Sequence, residues 1–359
     1  MGIYYLVFLI IFIADTYYGY FNKNKMALKE QGQSVSKVAF IALFLLFALR
    51  HPSMGIDLGY YGRKAGYLYS FDKIGKYPWD EILEGIKWQN YEYGYIVFNK
   101  LISSIYNNRQ FFLAVCSFVC IAPVMRYISK KSSLPFLSVV IYMGLPVFLI
   151  TYSGLRQAIA VSITMLATIF IEEKKPVKFL ITVCIATLFH YSAYIFLVAY
   201  PIYYIKLNNV WRQFSVICIP LVFLFRKPLY EIFGRIFKDT VVADKTGAVT
   251  LFLVFLAVYI YLITFNRDCE EDQNGMINLF YVACIVQSFA SVSNIAMRVG
   301  YYFMPYLMIA IPNTITKNKD KQEYQTNYVL VLLTFMAYSI YAIRTSTWAM
   351  AYPYYFFWD

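Results

Sequence analysis

Apolar residues run along this chain in long continuous blocks, not in alternation. LVFLIIFIA (6–14), VAFIALFLLFAL (38–49), FFLAVCSFVCIAPV (111–124), LPFLSVVIYMGLPVFLI (134–150) and AIAVSITMLATIFI (158–171) are separated by short polar or basic connections. Unbroken apolar runs argue for helices and against a barrel, whose strands would alternate. The pattern predicts spans at 3–20, 37–50, 110–128, 134–152, 155–172, 178–190, 191–206, 214–226, 246–266, 276–292, 295–313 and 326–344. The fold class is therefore all-α, a polytopic helical membrane protein with about twelve (roughly ten to fourteen) transmembrane helices. No internal repeat stands out, and residues 1–359 read as one integral membrane domain. The first run ends in aromatics and an Asn-Lys cluster without a cleavage site, so it reads as a retained first span.

Composition agrees: 60% of residues are hydrophobic and only 14% charged, far below a soluble domain. The formal net charge of +12 belongs to lysine-rich loops facing anionic lipid and gives no reason to invoke nucleic acid. NKNKMALKEQGQSVSK (22–37), RYISKKSS (126–133), EEKKPVK (172–178) and ITKNKDKQ (315–322) read as cytoplasmic. Parity then places 50–109, the SGLRQ junction at 153–157 and the C-terminal tail on the outer side. It also makes 178–206 cross twice or dip and return, with His190 at its outer turn. Five of the six cysteines lie in apolar runs and Cys269 in a polar loop. Neither histidine is near Cys116 and Cys120, so the sequence suggests neither a disulfide framework nor a metal site.

The outer excursion 50–109 mixes tyrosine, glycine and charge with apolar residues, as segments in the head-group layer do. In YIVFNKLISSI, Ile96, Val97, Leu101, Ile102 and Ile105 share one helical face, and Asn99, Lys100, Ser103 and Ser104 are expected to face water or substrate.

Charged and polar residues inside the apolar pattern carry the candidate chemistry. At TYSGLRQAIA, Gly154 can end one helix and Ser153 can cap the next, which places Arg156 and Gln157 in its first turn. A cation at a helix N-terminus opposes the dipole, so Arg156 either snorkels to lipid phosphate or binds an anion. Arg298 lies near the outer end of its own span, beside a small-xxx-small pair, Ala296 and Gly300. It is either a functional cation or half of a structural ion pair. His190 stands at the same level, as do Arg50 and Asp57 at the outer end of the second span.

These residues resemble the EpsG family of polysaccharide polymerases, relatives of the Wzy polymerases of O-antigen and capsule synthesis. The likeness is carried by Arg50-x6-Asp57-x2-Tyr60, Glu92-x-Gly-Tyr95, SGLRQAIA (153–160), IATLFHYSA (185–193) and the tail AYPYYFFWD. Gly-Ile-Asp replaces the usual Gly-Thr-Asp, and Tyr191 stands where many members carry proline. The resemblance implies an enzyme of the bacterial inner membrane with its active face outward. Such an enzyme transfers a growing glycan from undecaprenyl pyrophosphate to a hydroxyl of another lipid-linked repeat and needs no cofactor. Membrane lipids and a chain-length regulator are its other expected partners. Arg50, Arg156, Gln157, Arg298 and Tyr60 are the candidate pyrophosphate and substrate ligands. Asp57, His190 and Glu92 are, in that order, the candidate bases. A lipid-linked oligosaccharide flippase and a membrane O-acyltransferase are the rival classes. The first would spread its charges through the bilayer, and the second would need a channel for its acyl donor.

Overall fold

The computed structural model describes residues 1–21, 28–59, 66–206, 209–237, 246–266, 270–317 and 320–359. Tyr60, Cys269, the NKNK of the first basic loop and residues 318–319 of the last lie outside the described residues. Two compact units are present, Met1–Tyr194 with Lys319–Asp359, and Ile195–Asn318. The first contains α1 (Gly2–Thr16), α2 (Leu28–Ala48), α3 (Tyr67–Ile74), α4 (Trp79–Leu83), α5 (Tyr93–Ile105), α6 (Arg109–Lys131), α7 (Pro135–Gly144), α8 (Pro146–Leu149), α9 (Leu155–Glu172) and α10 (Pro176–Thr187). The second contains α11 (Ala199–Tyr203), α12 (Asn209–Leu224), α13 (Arg226–Phe237), α14 (Thr246–Phe265), α15 (Glu271–Phe289), α16 (Asn294–Gly300) and α17 (Leu307–Ile315), after which α18 (Lys321–Thr345) returns to the first. The only pairing of extended backbone among the described residues is an antiparallel bridge between Arg50 and Phe356.

Among the described residues six helices are long and apolar enough to cross a membrane, and a bent pair, Asn294–Gly300 with Met304–Ile315, makes seven. Both figures fall below the expected twelve. Several expected spans are instead shorter apolar helices, among them Pro135–Gly144, Pro176–Thr187 and Val210–Leu224. Proline accounts for one of the breaks. The run 134–152 stops being one helix at Leu145, which is held extended (φ −87°, ψ 147°) before Pro146.

The first unit has two chemically different ends. At one, Lys131 of α6 meets Glu172 of α9 at 2.7 Å, and the Tyr127 hydroxyl donates to the same carboxylate at 3.3 Å. At the other, the N-termini of α1, α6 and α9, the C-terminus of α2 and the chain's tail converge. Tyr4 shares a hydrogen bond with Tyr152 (2.9 Å) and donates to the Ala351 carbonyl, and Tyr354 donates to the Leu46 carbonyl at 2.8 Å. The His51 and Phe357 N–H groups bond the Tyr355 and Leu49 carbonyls at 2.8 and 2.9 Å. Asn108 caps α6 by accepting from the Gln110 and Phe111 N–H groups. The KK and EEKK segments thus share one end, while SGLRQ and the tail share the other.

Within the excursion, α5 does not divide into the expected faces, since its inward side holds polar residues together with Ile96 and Ile102. Asn99, Lys100 and Ser103 are buried, whereas Leu101 and Ile105 are exposed, Ile105 by 76%. Lys100 Nζ donates to the Gly75 carbonyl at the end of α3 (3.0 Å), and Asn99 Nδ2 donates to the Tyr95 carbonyl (2.7 Å). Ile96 packs with Ile74 and Ile82 in a small core of its own. Both kinds of side chain share the inward side, the polar ones by reaching backbone carbonyls and Ile96 by packing. Exposed Ser104 satisfies its own hydroxyl on the Lys100 carbonyl at 2.9 Å.

In the second unit, polar side chains of α15 bind backbone carbonyls of neighbouring segments, just past α11 and within α17. Asn278 Nδ2 reaches the Ile205 carbonyl at 2.8 Å, Asn274 Nδ2 reaches it at 2.9 Å, and Gln273 Nε2 reaches the Ala310 carbonyl at 2.9 Å. Buried Arg212 joins this network through Asn274 Oδ1 (2.7 Å) and the Asn266 carbonyl.

Candidate functional site

Arg50 follows directly on α2 and is only 1% exposed. Its Nη1 donates to the Thr151 carbonyl at 2.8 Å, and its guanidinium lies over the rings of Tyr152 (5.1 Å) and Phe47 (5.7 Å). Burial pulls its pKa below the ordinary arginine value. Arg50 is thus enclosed at the corner between α8 and α9, and is not presented outward as an anion ligand would be.

The loop after Arg50 is pressed onto the same corner. Gly55 has φ 114°, and a Cβ there would stand 2.0 Å from the Tyr152 carbonyl oxygen, so only glycine fits. One turn of 3₁₀ helix, Ile56–Leu58, then carries Asp57 with its side chain exposed. The Asp57 N–H donates to Ser153 Oγ at 3.2 Å. This corrects the expected cap on α9. Ser153 is spent on Asp57, and the N-cap position of α9 is Gly154, with no side-chain hydrogen bond.

Arg156 stands in the first turn of α9. Its Nη1 donates to Glu92 Oε2 at 2.6 Å and to the Asn90 carbonyl at 2.8 Å, and its guanidinium lies 4.5 Å over the Tyr91 ring. Both partners of the ion pair are 18% exposed. The Tyr67 hydroxyl also bonds Arg156. Burial raises the Tyr67 pKa against the pull of that cation, and burial pushes Tyr91 up to about 12 despite its hydrogen bond from Ser70. Both phenols are therefore neutral near pH 7. The charge of Asp57 acts on both rings as well, which ties its loop electrostatically to the Arg156 pocket. Arg156 Nε is buried and has no hydrogen-bond partner.

Glu92 immediately precedes α5, and its second oxygen accepts from the Tyr191 N–H at 2.9 Å. The Tyr95 N–H bonds the Leu188 carbonyl at 3.0 Å, and a Cβ on Gly94 would stand 2.5 Å from Leu188 Cβ. The Glu-x-Gly-Tyr motif is therefore the piece that docks the excursion on the end of α10. His190 lies in that docked turn, partly buried, with Nδ1 sharing a 2.7 Å hydrogen bond with Ser192 Oγ. Asp57, Glu92, Arg156 and His190 thus come from four segments that meet at one end of the first unit. Gln157, on the next turn position of α9, is 5% exposed.

Arg298 belongs to the second unit. It is exposed in the last turn of α16, and its charge reaches Tyr301. Ala296 and Gly300 are buried as expected, but a Cβ at Gly300 would meet only Met304 Cε at 3.4 Å and Val286 at 3.8 Å, so close packing does not demand glycine there. Among the residues the sequence reading passed over, Tyr67 and Tyr91 hold Arg156. In the second unit Arg226 lies 4.2 Å over Phe223 and donates from Nε to Ser291 Oγ at 3.0 Å. Adjacency in NYEYGY was the available signal for Tyr91. Arg226 looked like a span's terminal charge, which is a common and uninformative feature.

The model of the EpsG family matches residues 35–356, which covers every candidate site residue named above. No curated protein and no solved structure matches the chain.

Proposed function

The chain belongs to the EpsG family, and on that premise we propose that it polymerises lipid-linked oligosaccharide repeats at the outer face of the bacterial inner membrane. A hydroxyl of one repeat attacks the anomeric carbon of the growing glycan. A glycosidic C–O bond forms there as the C–O bond to undecaprenyl pyrophosphate breaks, and the bonding pair departs with the pyrophosphate. The hydroxyl proton passes to the base. The observation that carries this reading is the meeting of the Asp57, Glu92, Arg156 and His190 segments at one end, opposite the lysine-rich end of the same unit. By the positive-inside rule that lysine-rich end is cytoplasmic, so the arginine end faces out.

Arg156 takes the departing pyrophosphate, because a guanidinium offers paired donors to phosphate oxygens. Asp57 is the base, since its carboxylate is exposed beside the pocket while Glu92 is already engaged by Arg156 and Tyr191. His190 orients sugar or phosphate. Gln157 and Arg298 remain candidate ligands on their own elements. Arg50, being enclosed, acts as a positioning residue that fixes the corner behind Asp57.

Purified protein with lipid-linked repeats tests the assignment. Asp57→Asn is expected to abolish polymer while binding of the repeat survives. Arg156→Lys keeps the charge but loses the fork, and should cost roughly tenfold or more. His190→Gln should keep part of the activity. Active Asp57→Asn beside inactive, folded His190→Gln would reverse the choice of base, and a fully active Arg156→Lys would remove the arginine from the site.

A further inference from the structure

We infer that the Glu92 carboxylate occupies the seat of a substrate phosphate, an anion subsite built by Arg156 and the Tyr191 N–H from which phosphate displaces it. The inference rests on reading Arg156 as a phosphate ligand and says how that ligand is kept before substrate arrives. Its basis is the way the carboxylate is held. One oxygen takes Arg156 Nη1 at 2.6 Å and the other takes the Tyr191 N–H at 2.9 Å, two donors contributed by segments far apart in the chain. Two donors converging on two oxygens of one anion fit two oxygens of a phosphate equally well.

The fork is also incompletely used. Nη1 carries both the Glu92 and the Asn90 bonds, while buried Nε has no partner. The carboxylate, held with one oxygen on Nη1 and the other on the Tyr191 N–H, makes no bond to Nε. A tetrahedral phosphate brings a further acceptor and more negative charge, so exchange gains a hydrogen bond at a donor that is costly to leave bare. In the waiting state Glu92 keeps a half-buried cation neutralised. Both partners are 18% exposed, so an incoming anion can reach the pair. Glu92 lies outside α5, and a rotation of its side chain is enough to release the pair without unwinding a helix.

The probe is inorganic pyrophosphate, titrated calorimetrically into the purified full-length protein in detergent at fixed salt. Glu92→Gln is expected to bind roughly threefold or more tightly than the wild type, because the competing charge is gone while a neutral amide remains. Glu92→Asp, whose carboxylate reaches less far, should lie between them, and Arg156→Ala should lose binding. Equal or weaker binding by a folded Glu92→Gln overturns the inference. If Glu92→Gln does not fold, Glu92→Asp decides by the same criterion. Failure of both to fold would make the pair a strut and also overturn it. Pyrophosphate binding that ignores Arg156→Ala would instead break the proposed role of Arg156, whereas binding that needs Arg156 but ignores Glu92 breaks only this inference.

Discussion

The two ends of α9 make the same arrangement from different parts. Its first turn carries a cation and its last an anion, each the wrong sign for the helix dipole, and each is neutralised by a residue from another element. At the C-terminal end the pair is Lys131–Glu172, with Glu172 5% exposed and Tyr127 as a second donor. Lys131 closes the last turn of α6, where a cation is favourable, so this pair fastens two helix ends that would otherwise carry uncompensated charge. At the N-terminal end the cation is an arginine, faced by an aromatic ring, a buried phenol and a backbone carbonyl, with one donor unused. A strut needs a point charge. The second arrangement spends a planar fork and two tyrosines, which makes sense where a planar or tetrahedral anion must be oriented.

Exchanging the charges at each end separates the two interpretations most sharply. Arg156→Glu with Glu92→Arg keeps an ion pair and improves the dipole, yet polymer per folded protein should fall by about 100-fold or more, because no guanidinium remains on α9 at the proposed phosphate seat. Lys131→Glu with Glu172→Lys should leave polymer within about twofold, since either orientation serves a strut. Quantifying polymer length in the two double variants at matched membrane abundance checks both. An active outer exchange would reduce the arginine end to a second strut.

A single substitution at the lysine end has a different signature. Lys131→Met leaves Glu172 buried without its cation and should lower stability by about 1–3 kcal/mol, while activity per folded molecule holds. Lys131→Met with Glu172→Gln should recover most of the loss. Thermal unfolding in detergent measures it, and a melting temperature unmoved by Lys131→Met would show that Glu172 is solvated and that the pair fastens nothing.

How much of this was legible depended on whether apolarity still distinguished inside from outside. The helical class and α1, α2, α6 and α9 followed from unbroken runs, and lysine counts grouped SGLRQ with the tail. The number of spans did not follow, because hydropathy passes smoothly across Leu145–Pro146 and across residues 301–303, where the backbone breaks. The orientation of α5 failed for a deeper reason. Periodicity finds the angle between two faces, but it does not show that Lys100 and Asn99 find carbonyl partners inside, beside buried Ile96 and Ile102. Arg156 and His190 were legible as outliers among apolar neighbours and Glu92 through its Glu-x-Gly-Tyr motif, and their segments meet at one end of the first unit. Their partners were not legible. The Glu92 clasp on Arg156 and the seat of Asp57 on Ser153 join positions 64 and 96 residues apart, and Arg50 is enclosed by a corner 101 residues further along the chain.

The smallest effect expected is at Ser153, and it tests whether the Asp57 loop belongs to the chemistry or to the frame. Ser153 is 1% exposed and its hydroxyl accepts the Asp57 N–H at 3.2 Å. Ser153→Ala removes one oxygen from a closed corner and changes no charge. A neutral hydrogen bond of this kind is worth about 1 kcal/mol. If the bond serves mainly to aim Asp57, that loss falls on the transition state, and polymerisation should slow by about fivefold with little change in melting temperature. If the bond serves mainly to pack the corner, the same loss falls on stability, and activity per folded molecule stays at the wild-type level. The loop's rigidity favours the first outcome. Gly55 locks it against Tyr152 on one side and Ser153 fixes it on the other, so an exposed carboxylate is carried on a fixed backbone. Single-turnover rates and unfolding curves on the one variant decide, and a stability loss with unchanged rate would move Asp57 out of the reacting group and leave Glu92 and His190 to compete for the base.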